Sequence, residues 1–496
     1  MGSAKKIARG FVWTTAANVV NGIYGFISIP LLIAYFGKSN YGLIGLAISV
    51  NVYLKLMDLG LNSTNVRFFS NWIAKGNKGN VNKLFGTSMS FYGTIGLINS
   101  LIMVLVGLFA GQIFHLGPEQ GQILTNLFFI LAISAFISWY TSCFDQLIKA
   151  NEFVGWTQQI TLLARLLQII VLILTLTLRF SIELYYALTT FSMFLVIPFC
   201  VRKIQNICPY ISFKPHFDKE IFKQILPYSL NIFSFGIFQF SMISLRPVFL
   251  GLQGTPEDVT DFRVLNGIVS MVLMIGGSFL GIILPSASRA VANHNQRAID
   301  MVTYDATKYI SIALCFCSFG VVSVAPELIS VYVGQSFLYL TDWLVVWLVI
   351  ITLLHNQAIS SLILAGSDIR AITYNTIIAS VVGLIVCWFL IPVYKIGGTV
   401  IGYGIYCVIQ MSFYYLYYWP KKMNIDSWKV FSRSYIPYLL VGSMVAFGCH
   451  FIHLVDNLWI EFCIKGGLFT SLYFIGVYML LNKENKVFIV NLVHRK

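Results

Sequence analysis

Six ionisable side chains, Lys55, Asp58, Arg165, Arg246, Arg263 and Lys465, interrupt segments that otherwise read as soluble in hydrocarbon. The first two stand in NVYLKLMDLGLNST, residues 51–64, where Asn51, Lys55 and Asp58 recur at i, i+4 and i+7 and would share one helix face. Either Lys55 and Asp58 neutralise each other near the inner leaflet, or the stripe lines a watery cavity, since buried ions seldom face lipid. Flanking Asn62 and Ser63 favour the cavity, because a lipid-facing helix would not also carry amides. Five of the six are cations in separate segments, and cations with amides are the chemistry that holds a phosphate or another anion. Lys55, Arg165, Arg246, Arg263 and Asn51 are therefore the candidate binding set, and Asp58 is a candidate carrier of a coupling ion.

Each of these side chains also has a plainer reading. Arg246 and Arg263 flank an outer acidic loop holding Glu257, Asp258 and Asp261, so salt bridges could absorb both. Arg165 could snorkel inward, and Lys465 is expected at an interface. His355, in LLHNQAISS, is either a satisfied core histidine or a proton carrier. Pro247 is expected to kink the span after Arg246. The glycines of GSFLG, Gly277 to Gly281, suit close helix packing or a hinge. The aromatic run FYYLYYW at 413–419 reads as an interfacial belt. Cys449, His450, His453 and Asp456 resemble a metal cluster, but a third well-placed ligand is wanting and no metal or cofactor is expected.

The elements that must position these residues are membrane helices. Hydrophobic residues make up 57% of the 496-residue chain and charged residues 10%, which excludes a water-soluble globule. Apolar runs of about 20 residues recur, each able to cross a hydrocarbon core roughly 30 Å thick. Fourteen spans are expected, beginning at 10–36 and 41–63 and ending at 434–454 and 461–482, with twelve the alternative. The first run is too long for a cleaved signal peptide and reads as a span. With the N-terminus inside, Lys38, Arg179 and Lys395 are the only loop cations on the outer side, so both termini are expected in the cytoplasm. The net charge of +14 then reflects topology and contact with anionic lipid, and nucleic acid is not an expected partner. Nine cysteines without a CxxC pair form no disulfide framework.

The chain also repeats itself. Asn18 falls over Asn231, Pro30 and Gly37 over Pro247 and Gly254, Arg67 over Arg289 and Ala150 over Ala365, at offsets between 213 and 222 residues. Because each unit has an even number of spans, the repeats are parallel. The expected organisation is an N-terminal lobe at 1–205, a second at 206–420 and two added helices with a basic tail at 421–496. The equivalence of Arg67 and Arg289 makes them candidates for a symmetrical inner gate, although both are also ordinary inside-loop charges.

With two six-helix units, two extra helices, the opening FVWTTAANVVNGIYGFISIPLLIAYFG and the motif DLGLNSTNVRF, the chain resembles the polysaccharide transporters of the multidrug/oligosaccharidyl-lipid/polysaccharide exporter superfamily. Within that superfamily it looks most like the flippases of O-antigen and related repeat units. The resemblance implies an all-α membrane fold with two parallel repeats around a central cationic cavity. It implies a polyprenyl-diphosphate-linked glycan as cargo, a bacterial inner membrane, a polysaccharide polymerase as possible neighbour and no catalysis. A diphosphate and sugar hydroxyls cannot cross hydrocarbon alone, and cations and amides would replace their water. No GxxxxGK[ST] motif is present, so membrane potential or an H⁺ or Na⁺ gradient would drive transport.

Three rivals stand beside this reading. A multidrug antiporter of the same superfamily should carry carboxylates within its spans. A membrane polymerase or glycosyltransferase needs a sizeable outer loop, and the longest here is about 15 residues. A scaffold gives no reason for a duplicated, internally charged bundle.

Overall fold

The computed structural model describes residues 2–292, 296–356, 358–360, 362, 370–450, 452 and 455–481, with side chains at all of these except 2–11, 231, 232, 235, 275–292 and 450. Among the described residues every regular element is helical and there is no strand. It separates into two compact units, Met1–Thr260 and Asp261–Lys496.

Among the described residues, eleven helices are long and apolar enough to cross a membrane, or twelve if one bent pair counts as a single span. Fourteen spans were expected, and the shortfall falls on the seventh and eighth. Both regions are helical, at Lys219–Ser244 and Pro256–Ala292, but neither is among the eleven. Lys219–Ser244 carries Pro227, Ser229, Asn231 and Gln239 among its apolar residues, which dilutes its apolar content. The expected kink falls at Leu245, a single residue with helical dihedrals between Lys219–Ser244 and Arg246–Gln253, and Pro247 lies in the first turn of the latter, where its missing N–H is harmless. Its repeat partner Pro30 instead lies inside the continuous helix Gly2–Phe36.

The second span departs most from the sequence reading. A single helix over 41–63 was expected; instead Lys38–Leu54 ends in a 3₁₀ turn at Lys55–Asp58, and a new helix, Leu61–Ala74, leaves at 44°. Leu59 and Gly60 make the bend with φ of 52° and 76°. Glycine adopts that region freely, whereas leucine does not, so the elbow holds some backbone strain. Arg67, expected in a loop, rides on Leu61–Ala74. Asn51, Lys55 and Asp58 therefore do not form one continuous α-helical stripe.

In the first unit Lys78–Leu108 lies along Pro118–Tyr140, and Gly2–Phe36 lies along Val154–Leu178. The segment after Ile207 is not a free loop. Ser212 donates its N–H to Asn82 Oδ1 at 2.8 Å, His216 to the Gly86 carbonyl at 3.2 Å and Asp218 to Thr87 Oγ1 at 3.0 Å, while Phe213 packs edge-on to Phe85 and Phe144. Asp218 caps the next helix through Glu220 and Ile221 and pairs with Lys83 at 3.1 Å. At the second-span helix, a Cβ on Gly42 would overlap the Pro256 backbone.

In the second unit Arg370–Tyr394 lies along Ile396–Phe413. Lys465 is a correction: expected at an interface, it is 3% exposed and bridges two buried carboxylates, Glu327 at 2.6 Å and Glu461 at 3.0 Å. The Val455 N–H donates to the far oxygen of Glu461 at 3.1 Å. The aromatic run is also corrected, because Tyr414, Tyr418 and Trp419 are buried, with Trp419 wholly so, and only Leu416 and Tyr417 are clearly exposed within it. A π-helical stretch at Tyr414–Tyr418 turns these rings into the bundle. The rings are a packing element, with Tyr414 stacked on Trp419.

Candidate functional site

The polar residues of the first unit gather in two places, and the elbow is the first. Asp58 does not pair with Lys55 among the described residues. Its Oδ2 accepts the Asn62 backbone N–H at 3.1 Å, close to the positive end of the new helix, and its Oδ1 accepts the Tyr92 hydroxyl at 2.8 Å. Tyr92 in turn accepts from Gln146 Nε2 at 2.9 Å, and Asn65 Nδ2 donates to Gln146 Oε1 at 2.9 Å and to Ser88 at 3.0 Å. Tyr92, Asn65, Gln146 and Ser88 are all buried. A chain of hydrogen bonds thus runs from the carboxylate into the core of the unit, and Ser229 secures the elbow by donating to the Leu59 carbonyl at 2.5 Å. Lys55 stays exposed, with its charge not spent on Asp58, and Asn51 is half-buried.

Arg165 is the second place. Its Nε donates to Asn21 Oδ1 at 2.6 Å, a terminal nitrogen donates to Gln168 Oε1 at 2.6 Å, and the guanidinium lies 4.7 Å from the centre of the Tyr24 ring. Gln168 is fixed by its own bond to the Thr189 carbonyl at 3.2 Å. Every one of these partners is neutral, and among the described residues Arg165 has no ion pair. Two candidate spans, Val12–Phe36 and Val154–Leu178, supply this cradle. Snorkelling does not describe it, because a snorkelling arginine would not be bound by two amides and an aromatic face. Amides and ring faces position the cation without cancelling it, so its field is available to an anion.

The remaining candidates are dispersed. Arg246 is 3% exposed, and Arg263, half-buried, belongs to the second unit. Arg67 lies exposed with its guanidinium 4.1 Å from the Tyr228 ring centre. The side chain of its partner Arg289 lies outside the described residues, as do those of Gly277–Gly281 and His450 and the whole of Gln357 and His453. His355 is wholly engaged: Nδ1 lies 3.1 Å from the Thr352 carbonyl, Nε2 2.6 Å from the Tyr415 hydroxyl, and the ring stacks on Tyr435 at 3.8 Å. A carbonyl can only accept, so Nδ1 donates to Thr352, while the Tyr415 hydroxyl can serve Nε2 as donor or acceptor. All nine cysteines are free, and among the described residues no group of three His, Cys, Asp or Glu could hold a metal.

Sequence reasoning missed Tyr92, Gln146, Asn21, Tyr24 and Gln168, and it also missed the buried pair Glu327 and Glu461. Gln168 at i+3 from Arg165 and Glu461 at i−4 from Lys465 were legible as same-face helical pairs, whereas Asn21, Tyr24, Gln146 and Glu327 acquire meaning only from partners distant in sequence, such as Asn21 and Arg165 at a separation of 144.

The same arrangement of helices recurs in solved transporters. A structure of the lipid II flippase MurJ in an inward closed conformation superposes with a TM-score of 0.73 at 15% identity, covering 98% of this chain and 100% of that one. An inward-facing multidrug resistance MATE family transporter of the MOP superfamily gives 0.68 at 14% identity, covering 83% and 96%, and an outward-facing one gives 0.51 at 16%, covering 90% and 96%. At such identities the likeness is one of fold, and that fold is the one expected from the sequence. No curated protein sequence matches the chain. A family model described as polysaccharide biosynthesis protein matches residues 7–291, more than half of the chain, and the chain therefore belongs to the polysaccharide biosynthesis protein family.

Proposed function

We propose that this multi-pass membrane protein is a flippase that carries a polyprenyl-diphosphate-linked oligosaccharide, such as a repeat unit of O-antigen or another surface polysaccharide, from the cytoplasmic to the outer leaflet by alternating access. The observation that carries the reading is the Arg165 cradle, a cation at membrane depth whose partners are all neutral. A charge held that way is poised for an anion, whereas one built only for stability would be paired. Lys55, Arg246, Arg263 and Asn51 are assigned to the same task, with sugar hydroxyls satisfied by amides and tyrosines. The two lobes at 1–205 and 206–420, with gates at Arg67 and Arg289, belong to this proposal, as do a bacterial inner membrane with both termini cytoplasmic and a neighbouring polymerase. An anionic head moving outward across an inside-negative membrane gains about 2.3 kcal/mol per charge per 100 mV. Potential alone can therefore contribute, and exchange of H⁺ or Na⁺ at Asp58 is the alternative coupling. His355, hydrogen-bonded to the Tyr415 hydroxyl, is the second candidate for that coupling.

One observation favours a rival reading, a cation antiporter: besides the MATE-like fold, Glu327 and Glu461 place two buried carboxylates in the second unit. Lys465 occupies both, which leaves little for a cationic drug. The test is surface polysaccharide in a strain lacking the native gene. Arg165→Ala and Lys55→Ala should abolish it while the protein still inserts, and normal polysaccharide from both would remove these positions from the site.

A further inference from the structure

The second unit contains a cavity of about 1050 Å³ that takes no part in the cargo route proposed above. Its walls come from the beginnings of two candidate spans, Gln296–Ser323 and Ser427–Cys449, and from the end of a third, Leu458–Leu480. Two starts and one end in an alternating topology place the cavity at one face of the membrane, and the positive-inside pattern makes that face cytoplasmic.

Four cations line it, Arg297, Lys308, Lys429 and Arg433, against two acids, Asp300 and Asp305. Local contacts sort these charges. Lys308 is already tied to Asp305 at 2.8 Å, and Asp300 accepts from the amide of Gln296 at 2.9 Å. The ammonium of Lys429 is held 4.2 Å from the centre of the Tyr304 ring. That ring is itself anchored, because its hydroxyl accepts the Asp426 N–H at 3.3 Å and its backbone carbonyl accepts the Ser434 hydroxyl at 2.8 Å. Arg297 and Arg433 are exposed, and among the described residues neither makes an ion pair. The rim supplies the other half of the chemistry, since Met301 is 59% exposed and Leu480 45% exposed, with Trp428 nearby at 72%. Fixed cations beside bare apolar side chains at the level of the headgroups suit an anionic amphiphile.

We infer that this cavity binds the phosphodiester headgroup of an anionic phospholipid of the cytoplasmic leaflet, with Arg297 and Arg433 as its ligands and Lys429 as the positioned third cation. The inference is independent of the flippase reading, since it concerns a resident lipid and not the cargo.

The test uses the full chain, purified in detergent and titrated with phosphatidylglycerol or phosphatidylcholine while bound lipid is counted by native mass spectrometry. Phosphatidylglycerol should bind at least tenfold more tightly than phosphatidylcholine. The exposed double variant Arg297→Glu with Arg433→Glu should lose that preference, and Arg297→Lys with Arg433→Lys should keep most of it. Equal binding of the two lipids, or an undiminished preference in the glutamate variant, would overturn the assignment. So would displacement of phosphatidylglycerol by millimolar inorganic phosphate, which would mark a site for a free anion. A polyprenyl diphosphate outcompeting phosphatidylglycerol tenfold would reassign the cavity to cargo and overturn it equally.

Discussion

Replacing Lys465 by methionine isolates one structural device, the bridge between Glu327 and Glu461. The ammonium lies 2.6 Å and 3.0 Å from two carboxylates, and all three side chains are at most 5% exposed. Methionine keeps most of the volume but leaves two buried acids facing each other, and removing one member of a buried ion pair costs about 3–5 kcal/mol. Glu327→Gln is gentler, because Lys465 keeps Glu461 and gains an amide oxygen as acceptor, for a loss of about 1–3 kcal/mol. For a unit of this size the first change should lower the melting temperature by on the order of 10 °C and the second by a few degrees. Cys315 and Cys449, at 0% and 1% exposure in the adjoining core, would report unfolding through a thiol-reactive dye. Combining Lys465→Met with Glu327→Gln and Glu461→Gln should recover much of the loss, because no buried ion is then unmatched. Equal shifts for the two single variants, or no recovery in the triple, would refute the idea that charge balance rather than packing governs this site.

Tyr92→Phe should leave Asp58 without its hydroxyl donor and Gln146 without an acceptor, at about 1–3 kcal/mol, measurable as a lower melting temperature. Gly42→Val should destabilise or block insertion, because a Cβ there meets the Pro256 backbone, and expression with intact thermal stability would contradict this. The Ile221 N–H, then the Lys83 ammonium, hold the Asp218 carboxyl below the usual carboxylate range. A folded pKa below the unfolded one stabilises above the unfolded value and is lost as pH falls through the folded one. Asp218→Asn should therefore be less stable near neutral pH and converge on the parent under acid, in a melting series from pH 7 to pH 3.

The membrane class and the all-α architecture were legible because hydropathy and length constrain a span almost completely. The elbow was not, although its letters were in plain view. DLG reads equally well as the tail of a helix, and only the bonds of Asp58 to Asn62 and Tyr92 distinguish a break from a continuation. Lys465 misled for a related reason: a lone lysine near a span end usually snorkels, and its partner Glu327 stands 138 residues away. The aromatic run failed because tyrosines at an interface and tyrosines packed on His355 have the same composition. Arg165 was recognised as a charge out of place, but the part of its cradle made by Asn21 and Tyr24 belongs to tertiary structure.

The account turns on whether an unpaired cation within the first unit serves an anionic glycolipid. The most direct measurement is reconstitution of the purified chain in liposomes carrying a fluorescent polyprenyl-diphosphate oligosaccharide, with leaflet residence read by an impermeant quencher under an imposed potential. The parent protein should move the lipid, and Arg165→Ala, correctly folded and inserted, should slow it at least tenfold. Transfer at the parent rate by Arg165→Ala, or a parent that ignores the glycolipid while exporting an organic cation, would contradict the account.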